Sequence, residues 1–309
     1  MLPNPVSISG VNKSTAKKII SVLLSSNGTT RTDLARACGV SAMTAGKVVR
    51  AMCDVGYASI CEEFSACGRR ADFIYPSDRF TFLVFDVGER AMSADIYDAR
   101  ESTIFSYTQP ICDSIDRETD VKSFMALVKE HLGEDEEREN YRLSALLYHG
   151  VNIDHGTLTA SDISIALDKS DAAAEYVKSA YPDECAAFVE ADSTCNINLI
   201  VNGKLIRGKA NPRNRTTNSI TSELDMLNAL TSKLSGLFEF LIPDKLIIDS
   251  RSLHLSRRFA SELYDRLTER TGLKKEELPE LVTNDGIPFP SRAVVGQLID
   301  IYADIISAK

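Results

Sequence analysis

Between residues 14 and 76 the chain shows an apolar helical pattern, a short turn, a second pattern, a stretch opening on Ser41-Ala42-Met43-Thr44, and two strand-like runs joined through Arg69-Arg70. Ala16, Ile19, Ile20, Leu23 and Leu24 recur at three- and four-residue spacing, which predicts a first helix ending at Asn27-Gly28, where a left-handed cap costs little. Thr30 is placed to cap a second helix, with Asp33 in its acidic first turn, Leu34, Ala35 and Cys38 pointing inward and Gly39 ending it. Ser41 caps a third, carrying Val48, Val49 and Met52 on its inner side and ending at Gly56. Tyr57 to Glu62 and Ala71 to Tyr75 read as paired strands with Gly68-Arg69-Arg70 at or near their tip. Three short helices and a hairpin in this order are the pattern of a winged helix-turn-helix over residues 1–76, which makes double-stranded DNA the first partner to consider.

On that reading the third helix offers Ser41, Met43, Thr44 and Lys47 to base edges, with Arg50 further along near phosphates. Thr30 and Arg31 at the start of the second helix complete the helical candidates, and Arg69 and Arg70 supply guanidinium groups for a minor groove. None of the third-helix candidates is an Arg poised for bidentate contact with guanine, so shape and phosphate contacts carry most of the expected recognition. Helix-turn-helix shapes also serve as protein-protein modules, and that alternative stays open.

Charge supplies context. Residues 1–76 hold nine Lys and Arg against five Asp and Glu, a net of +4, whereas the remainder holds 26 against 39, a net of −13. A basic head on an acidic body fits a phosphate-binding module joined to a part that repels nucleic acid. The 309 residues, 44% apolar, leave well over two hundred for a second domain with its own core. No run of eighteen apolar residues and no signal-peptide core is present, so no membrane partner is expected and the cytoplasm, close to the nucleoid, is the expected location. Seven cysteines without paired spacing fit reduced thiols. Cys53, Cys61 and Cys67 form no C-x-x-C pair, and the four histidines show no ligand spacing, so no metal site is expected.

The body, 77–309, opens with strands over Phe80 to Val87, Ala91 to Tyr97 and Ser102 to Tyr107, then a helix over Val121 to Leu132, the acidic run Glu134 to Glu139 and a strand over Ser144 to Tyr148. The second half repeats this in outline: a strand at Ile163 to Leu167, a helix at Ser170 to Ala180, strands at Ala186 to Glu190 and Asn196 to Val201 with a turn at Asn202-Gly203, and a polar loop from Lys209 to Asn218. An amphipathic helix follows over Ser222 to Leu241, with Leu227, Leu230, Leu234, Leu237, Phe238 and Leu241 on one stripe that serves either core or interface. Leu246 to Asp249 and Glu280 to Val282 read as strands, and Leu255 to Thr271 and Arg292 to Ser307 as helices.

Taken together the chain resembles the ROK family of sugar-responsive repressors and sugar kinases. The resemblance rests on Arg31-Thr32-Asp33-Leu34-Ala35-Arg36 and Val40-Ser41-Ala42-Met43-Thr44 in the head, Gly68-Arg69-Arg70 at the wing, and Phe85-Asp86-Val87-Gly88 at the first body strand. Further along it rests on Val201 to Gly208 and on Ala293-Val294-Val295-Gly296. It implies an α/β fold in which a winged helix-turn-helix precedes a two-lobed, actin-like ATPase (ribonuclease H-like) domain. The family's kinases carry an Asp-x-Gly-Gly-Thr phosphate turn, and here Asp86, Gly88, Glu89 and Arg90 stand in its place, a carboxylate replacing the second glycine. The second phosphate turn of the family corresponds to Asp192-Ser193-Thr194-Cys195-Asn196, without glycine, and the third to Asp249-Ser250-Arg251-Ser252. Of the family's Asn-Asp-Ala-Asn sugar element only Asp171 remains, in Ser170-Asp171-Ala172-Ala173, where ordinary helix-start chemistry is an equally simple role. Its Glu and His sugar ligands and its zinc cysteines have no counterpart in Lys209 to Asn218.

These departures imply no ATP, no zinc and no cofactor. The resemblance therefore points to a homodimeric DNA-binding regulator, by family default a repressor, whose degenerate body dimerises, with sensing of a sugar-like effector left open. The alternative is a sugar kinase with Asp171 as general base.

Overall fold

The computed structural model describes residues 2–64, 70–88, 91–111, 117–133, 141–148, 163–191, 195–206, 220–250, 255–284 and 288–308. They fall into two compact units, residues 1–167 with 294–309, and residues 168–293.

The first unit begins with three helices, α1 (Lys13–Leu24), α2 (Arg31–Cys38) and α3 (Ala42–Asp54), and a small sheet of β1 (Thr29–Thr30), β2 (Ala58–Phe64) and β3 (Arg70–Pro76) in the order β1-β3-β2. The inward residues expected from periodicity are the buried ones: Ala16, Ile19, Ile20, Leu23 and Leu24 on α1, Leu34, Ala35 and Cys38 on α2, and Val48, Val49 and Met52 on α3. α1 stops earlier than its pattern suggests, at Leu24 with Ser25 as cap. Gly28 is left-handed (φ +92°) for another reason: the ring of Tyr75 lies where a Cβ would stand, so the chain passes beneath it to pair Thr29 and Thr30 with β3. That two-residue strand was not legible beforehand.

The same unit continues with β4 (Phe80–Val87), β5 (Ala91–Asp98), β6 (Thr103–Pro110), α4 (Arg117–Gly133), β7 (Tyr141–Tyr148) and β8 (Ile163–Asp168). The sheet order is β6-β5-β4-β7-β8, with β4 antiparallel to β5 and parallel to β7. Every residue of β4 is buried, as a central strand covered on both faces requires. One face packs Leu83, Phe85 and Leu146 against Val121, Phe124, Met125 and Val128 of α4. On the other face Phe80 and Phe82 meet the ring of Tyr302, whose hydroxyl donates to the Thr81 carbonyl at 3.2 Å.

The three-helix head is bonded to this sheet. Tyr57 packs edge-on against Phe80 at 5.5 Å and Tyr141 at 5.4 Å, and its hydroxyl accepts from the Asn4 amide at 2.6 Å. Lys17 and Ser21 of α1 reach Asp304 and Asp300 at 2.6 and 2.7 Å. The Val6 amide donates to the Ile306 carbonyl.

The second unit starts with α5 (Lys169–Ala180) and holds β9 (Cys185–Ala191), β10 (Cys195–Val201), β11 (Lys204–Ile206), α6 (Glu223–Phe238), β12 (Lys245–Asp249), α7 (Phe259–Thr271) and β13 (Glu280–Thr283). The last helix, α8 (Phe289–Ile306), begins there and its later residues belong to the first unit. Its sheet runs β11-β10-β9-β12-β13, with β9 antiparallel to β10 and parallel to β12. Numbered from its own first strand, each large sheet has the order 3-2-1-4-5, a repeated topology, but the strand read as opening the second half, Ile163 to Leu167, is the fifth strand of the first sheet.

The amphipathic stripe of α6 is core: Leu227, Leu230, Leu234 and Phe238 pack with Val189, Leu246, Ile248 and Leu263. The regular helix ends at Phe238, but Glu239 keeps helical dihedrals and the Leu241 amide donates to the Leu237 carbonyl at 2.9 Å, so a last loose turn reaches the expected Leu241 ahead of Pro243. This boundary has a measurable consequence. Leu230→Ala removes fully buried methyl groups and is expected to cost about 2–5 kcal/mol in denaturant unfolding, whereas Phe240→Ala, at an 88% exposed side chain, stays within about 0.5 kcal/mol. Equal losses would contradict the assignment.

Candidate nucleic-acid interface

The N-terminal 76 residues carry nine cations against five carboxylates, and ion pairing divides the described cations into two sets. At the start of α2 the Thr30 hydroxyl accepts from the Asp33 amide at 3.2 Å and donates to the Asp33 carboxylate at 2.7 Å. That carboxylate also holds Arg36 at 2.7 Å. The Thr30 hydrogen bond, and then the Arg36 charge, lower the Asp33 pKa below its ordinary value. Thr30 and Asp33 are therefore cap chemistry, as their spacing suggested.

At α3 the Ser41 hydroxyl accepts from the Thr44 amide at 3.1 Å and lies 2.9 Å from the Thr44 hydroxyl. Both hydroxyls serve the helix start. Beyond them Met43, Lys47 and Arg50, spaced by four and three residues, share one exposed face, and Met43 is 75% exposed. Arg31, the first residue of α2, lies across this helix at Gly46: a Cβ built there would come 3.2 Å from Arg31 Cδ and 3.3 Å from Nε. Lys47 extends toward Gly10, where a Cβ would stand 3.2 Å from its Nζ.

Arg31, Lys47 and Arg50 form no ion pair or hydrogen bond with any described residue. Lys13 and Lys18 on α1 are likewise unshared, and three other cations are engaged. Lys17 is held by Asp304, whose hydrogen bond and charge raise the lysine pKa, and Arg36 is held by Asp33. Arg70 lies 3.5 Å from Glu62 with its guanidinium 5.8 Å from the centre of the Phe64 ring. The β2-β3 hairpin is more acidic than its sequence tip suggests. Glu62 stands opposite Asp72, and Glu63 accepts from the Tyr75 hydroxyl at 2.9 Å. Phe64, at the end of β2, is 72% exposed. Arg69 lies outside the described residues.

Of the three segments read as a former nucleotide cradle, the first two fall at corresponding places in the two sheets, the first hairpin of each, and the third follows β12. In the first unit Asp86 is buried within β4, and the Gly88 amide donates to the Ala91 carbonyl; residues 89 and 90 lie outside the described set. In the second unit Ala191 pairs with Cys195 across the β9-β10 hairpin, whose residues 192–194 are likewise outside it. There the Lys233 ammonium donates to the Cys195 carbonyl, and burial pushes the Cys195 thiol up to about 11. Asp249, ending β12, accepts from the Phe289 amide at 3.1 Å, and Asn284 bridges both backbone groups of Ser250. Asp171 lies half-buried in the first turn of α5, whose capping residue is Asp168, accepting from the Ser170 amide at 2.9 Å. The polar loop 209–218 and residues 251–252 are not among the described residues.

Sequence reasoning found the α2 and α3 cations but missed the seat at Gly46 and the acidic pairing on β2. A glycine inside a helical pattern was the available signal for the first. Among the described residues no group of three or more His, Cys, Asp and Glu is arranged to hold a metal ion, and no helix is long and apolar enough to cross a membrane.

Two capping results are expected. Ser41→Ala costs about 1 kcal/mol of stability in chemical denaturation, by loss of the α3 cap. Asp33 titrates lower in the folded chain than in the unfolded one, so its contribution is complete above the ordinary carboxylate range and lost as pH falls through the depressed value. Replacing Thr30 by Val raises that value, read from the carboxyl carbon shift in NMR titration; an unchanged value would remove the hydrogen bond from the account.

The sequence matches no protein-family model and no curated protein. Among solved structures it is similar to a ROK family transcriptional regulator described as a homologue of the E. coli MLC protein, with a TM-score of 0.59 at 12% identity, over 95% of this chain and 98% of that one. Two others cover 72% of this chain: a ROK family protein from Streptococcus pneumoniae in complex with sucrose (TM-score 0.45, 12% identity, 97% of that chain) and an N-acetylmannosamine kinase candidate from Listeria monocytogenes (0.46, 15%, 98%). The mixed α/β chain thus has, over nearly its whole length, the fold of a ROK family transcriptional regulator.

Proposed function

We propose that the chain is a DNA-binding transcriptional regulator whose first 76 residues form a winged helix-turn-helix head and whose remaining residues form a degenerate sugar-kinase-like body. The observation that carries this reading is the clustering of the unshared cations Arg31, Lys47 and Arg50 on the outward side of α2 and α3, while Lys17, Arg36 and Arg70 are paired with carboxylates. A duplex presents closely spaced phosphates, and charges not already neutralised gain most from them. α3 enters the major groove with Met43 and Lys47 toward base edges and Arg50 toward the backbone. The hairpin contributes less than its two arginines suggest, because Arg70 is paired with Glu62, and Asp72 stands opposite that carboxylate.

The body is read as non-catalytic. Asp249 and the Lys233 ammonium are committed to backbone groups at two of the former phosphate turns, and Glu89 stands where the first turn needs a glycine. It serves to form a homodimer, which presents two heads to a two-fold operator, and to sense a small effector, and the bound dimer represses transcription.

Retention of genomic fragments by the intact chain is expected to weaken steeply with salt, and Lys47→Ala and Arg50→Ala are each expected to reduce the log-log salt slope by about 1. Arg36→Ala leaves the slope nearly unchanged, because that charge is already shared. Binding indifferent to salt, or lost equally on all three substitutions, would refute the assigned face.

A further inference from the structure

Glycine is a poor choice inside α3, where it loosens the helix, yet half-exposed Gly46 sits one position before Lys47 at the edge of the exposed cationic face. The neighbour that accounts for it is Arg31. Its side chain crosses α3 at Gly46, close enough that a methyl group would meet both Cδ and Nε. Alanine would need Arg31 to give way by a few tenths of an ångström, along a side chain anchored at the first residue of a different helix.

We infer that Gly46 is a seat that lays the Arg31 guanidinium flat on α3, making Arg31 a DNA-contacting residue that acts with Lys47 although it belongs to α2. This rests on the DNA-binding reading above and deepens it. A guanidinium immobilised before contact loses less side-chain freedom on meeting a phosphate or a guanine edge than one ranging through solvent. Arg31 suits that use because no described carboxylate claims it. The third helix lacks an arginine at its N-terminal reading positions, and the seat supplies one from outside. Gly46 is then a positioning residue, touching no nucleic acid itself.

The test uses the full chain and a duplex selected on it from a random-sequence pool, with Gly46→Ala, Arg31→Ala and the double variant compared by titration and by thermal unfolding. Roughly tenfold weaker binding is expected for Arg31→Ala, a similar loss for Gly46→Ala, and no further loss when both are combined. Gly46→Ala should meanwhile unfold at the same or a higher temperature, since alanine favours the helix. Adding Arg31→Lys separates shape from charge: a loss close to that of Arg31→Ala supports a seated planar group. Wild-type affinity in Gly46→Ala, or losses that add in the double variant, would overturn the seat while leaving the DNA reading intact. A wild-type chain that selects no duplex would remove both.

Discussion

A lysine or arginine whose charge is already shared with a carboxylate has little left for a second anion, and in the head of this protein that constraint sorts side chains that look alike in the sequence. Arg36 and Arg70 have carboxylate partners, whereas Arg31 and Arg50, on the same small domain, have none among the described residues. The sorting depends on local structure. The Thr30 cap turns Asp33 toward Arg36 instead of Arg31, and the β2-β3 register sets Phe64 opposite Arg70 and Glu62 opposite Asp72. An exposed ion pair adds little to stability, so its weight here lies in where it leaves positive potential unspent.

That small domain does not hang from the rest by a linker. Tyr57 is wedged among Phe80 and Tyr141, α1 is bonded to Asp300 and Asp304, and the residues before α1 reach Ile306. Aromatic rings at 5–6 Å in edge-to-face arrangement hold orientation as well as area, which fixes the three helices against the first large sheet. A rigid attachment matters for any reader of a repeating polymer, because the spacing of two heads in an oligomer is only as definite as the joint that carries each.

Much of this was visible beforehand, for physical reasons that can be named. Apolar spacing located α1, α2 and α3 and the buried stripe of α6, because a helix that packs must repeat its apolar face; Thr30 and Ser41 were recognisable as caps because few side chains satisfy open amides. β4 stood out through the apolar run Phe82 to Phe85. What could not be read depends on partners distant in sequence: Tyr75 over Gly28, Arg31 over Gly46, and Lys233 at the carbonyl of Cys195. The hairpin tip looked cationic because Arg69 and Arg70 are adjacent in the chain, while the carboxylates that temper Arg70 arrive from the opposite strand and appear only once the register is known.

The interface is tested most directly by a crystal structure of the chain bound to a selected duplex. The expected complex has α3 lying in the major groove with the guanidinium of Arg31, still resting on Gly46, and the ammonium of Lys47 within hydrogen-bonding distance of phosphate or base atoms. A duplex seated elsewhere on the molecule, with the outer face of α3 left in solvent, would contradict it.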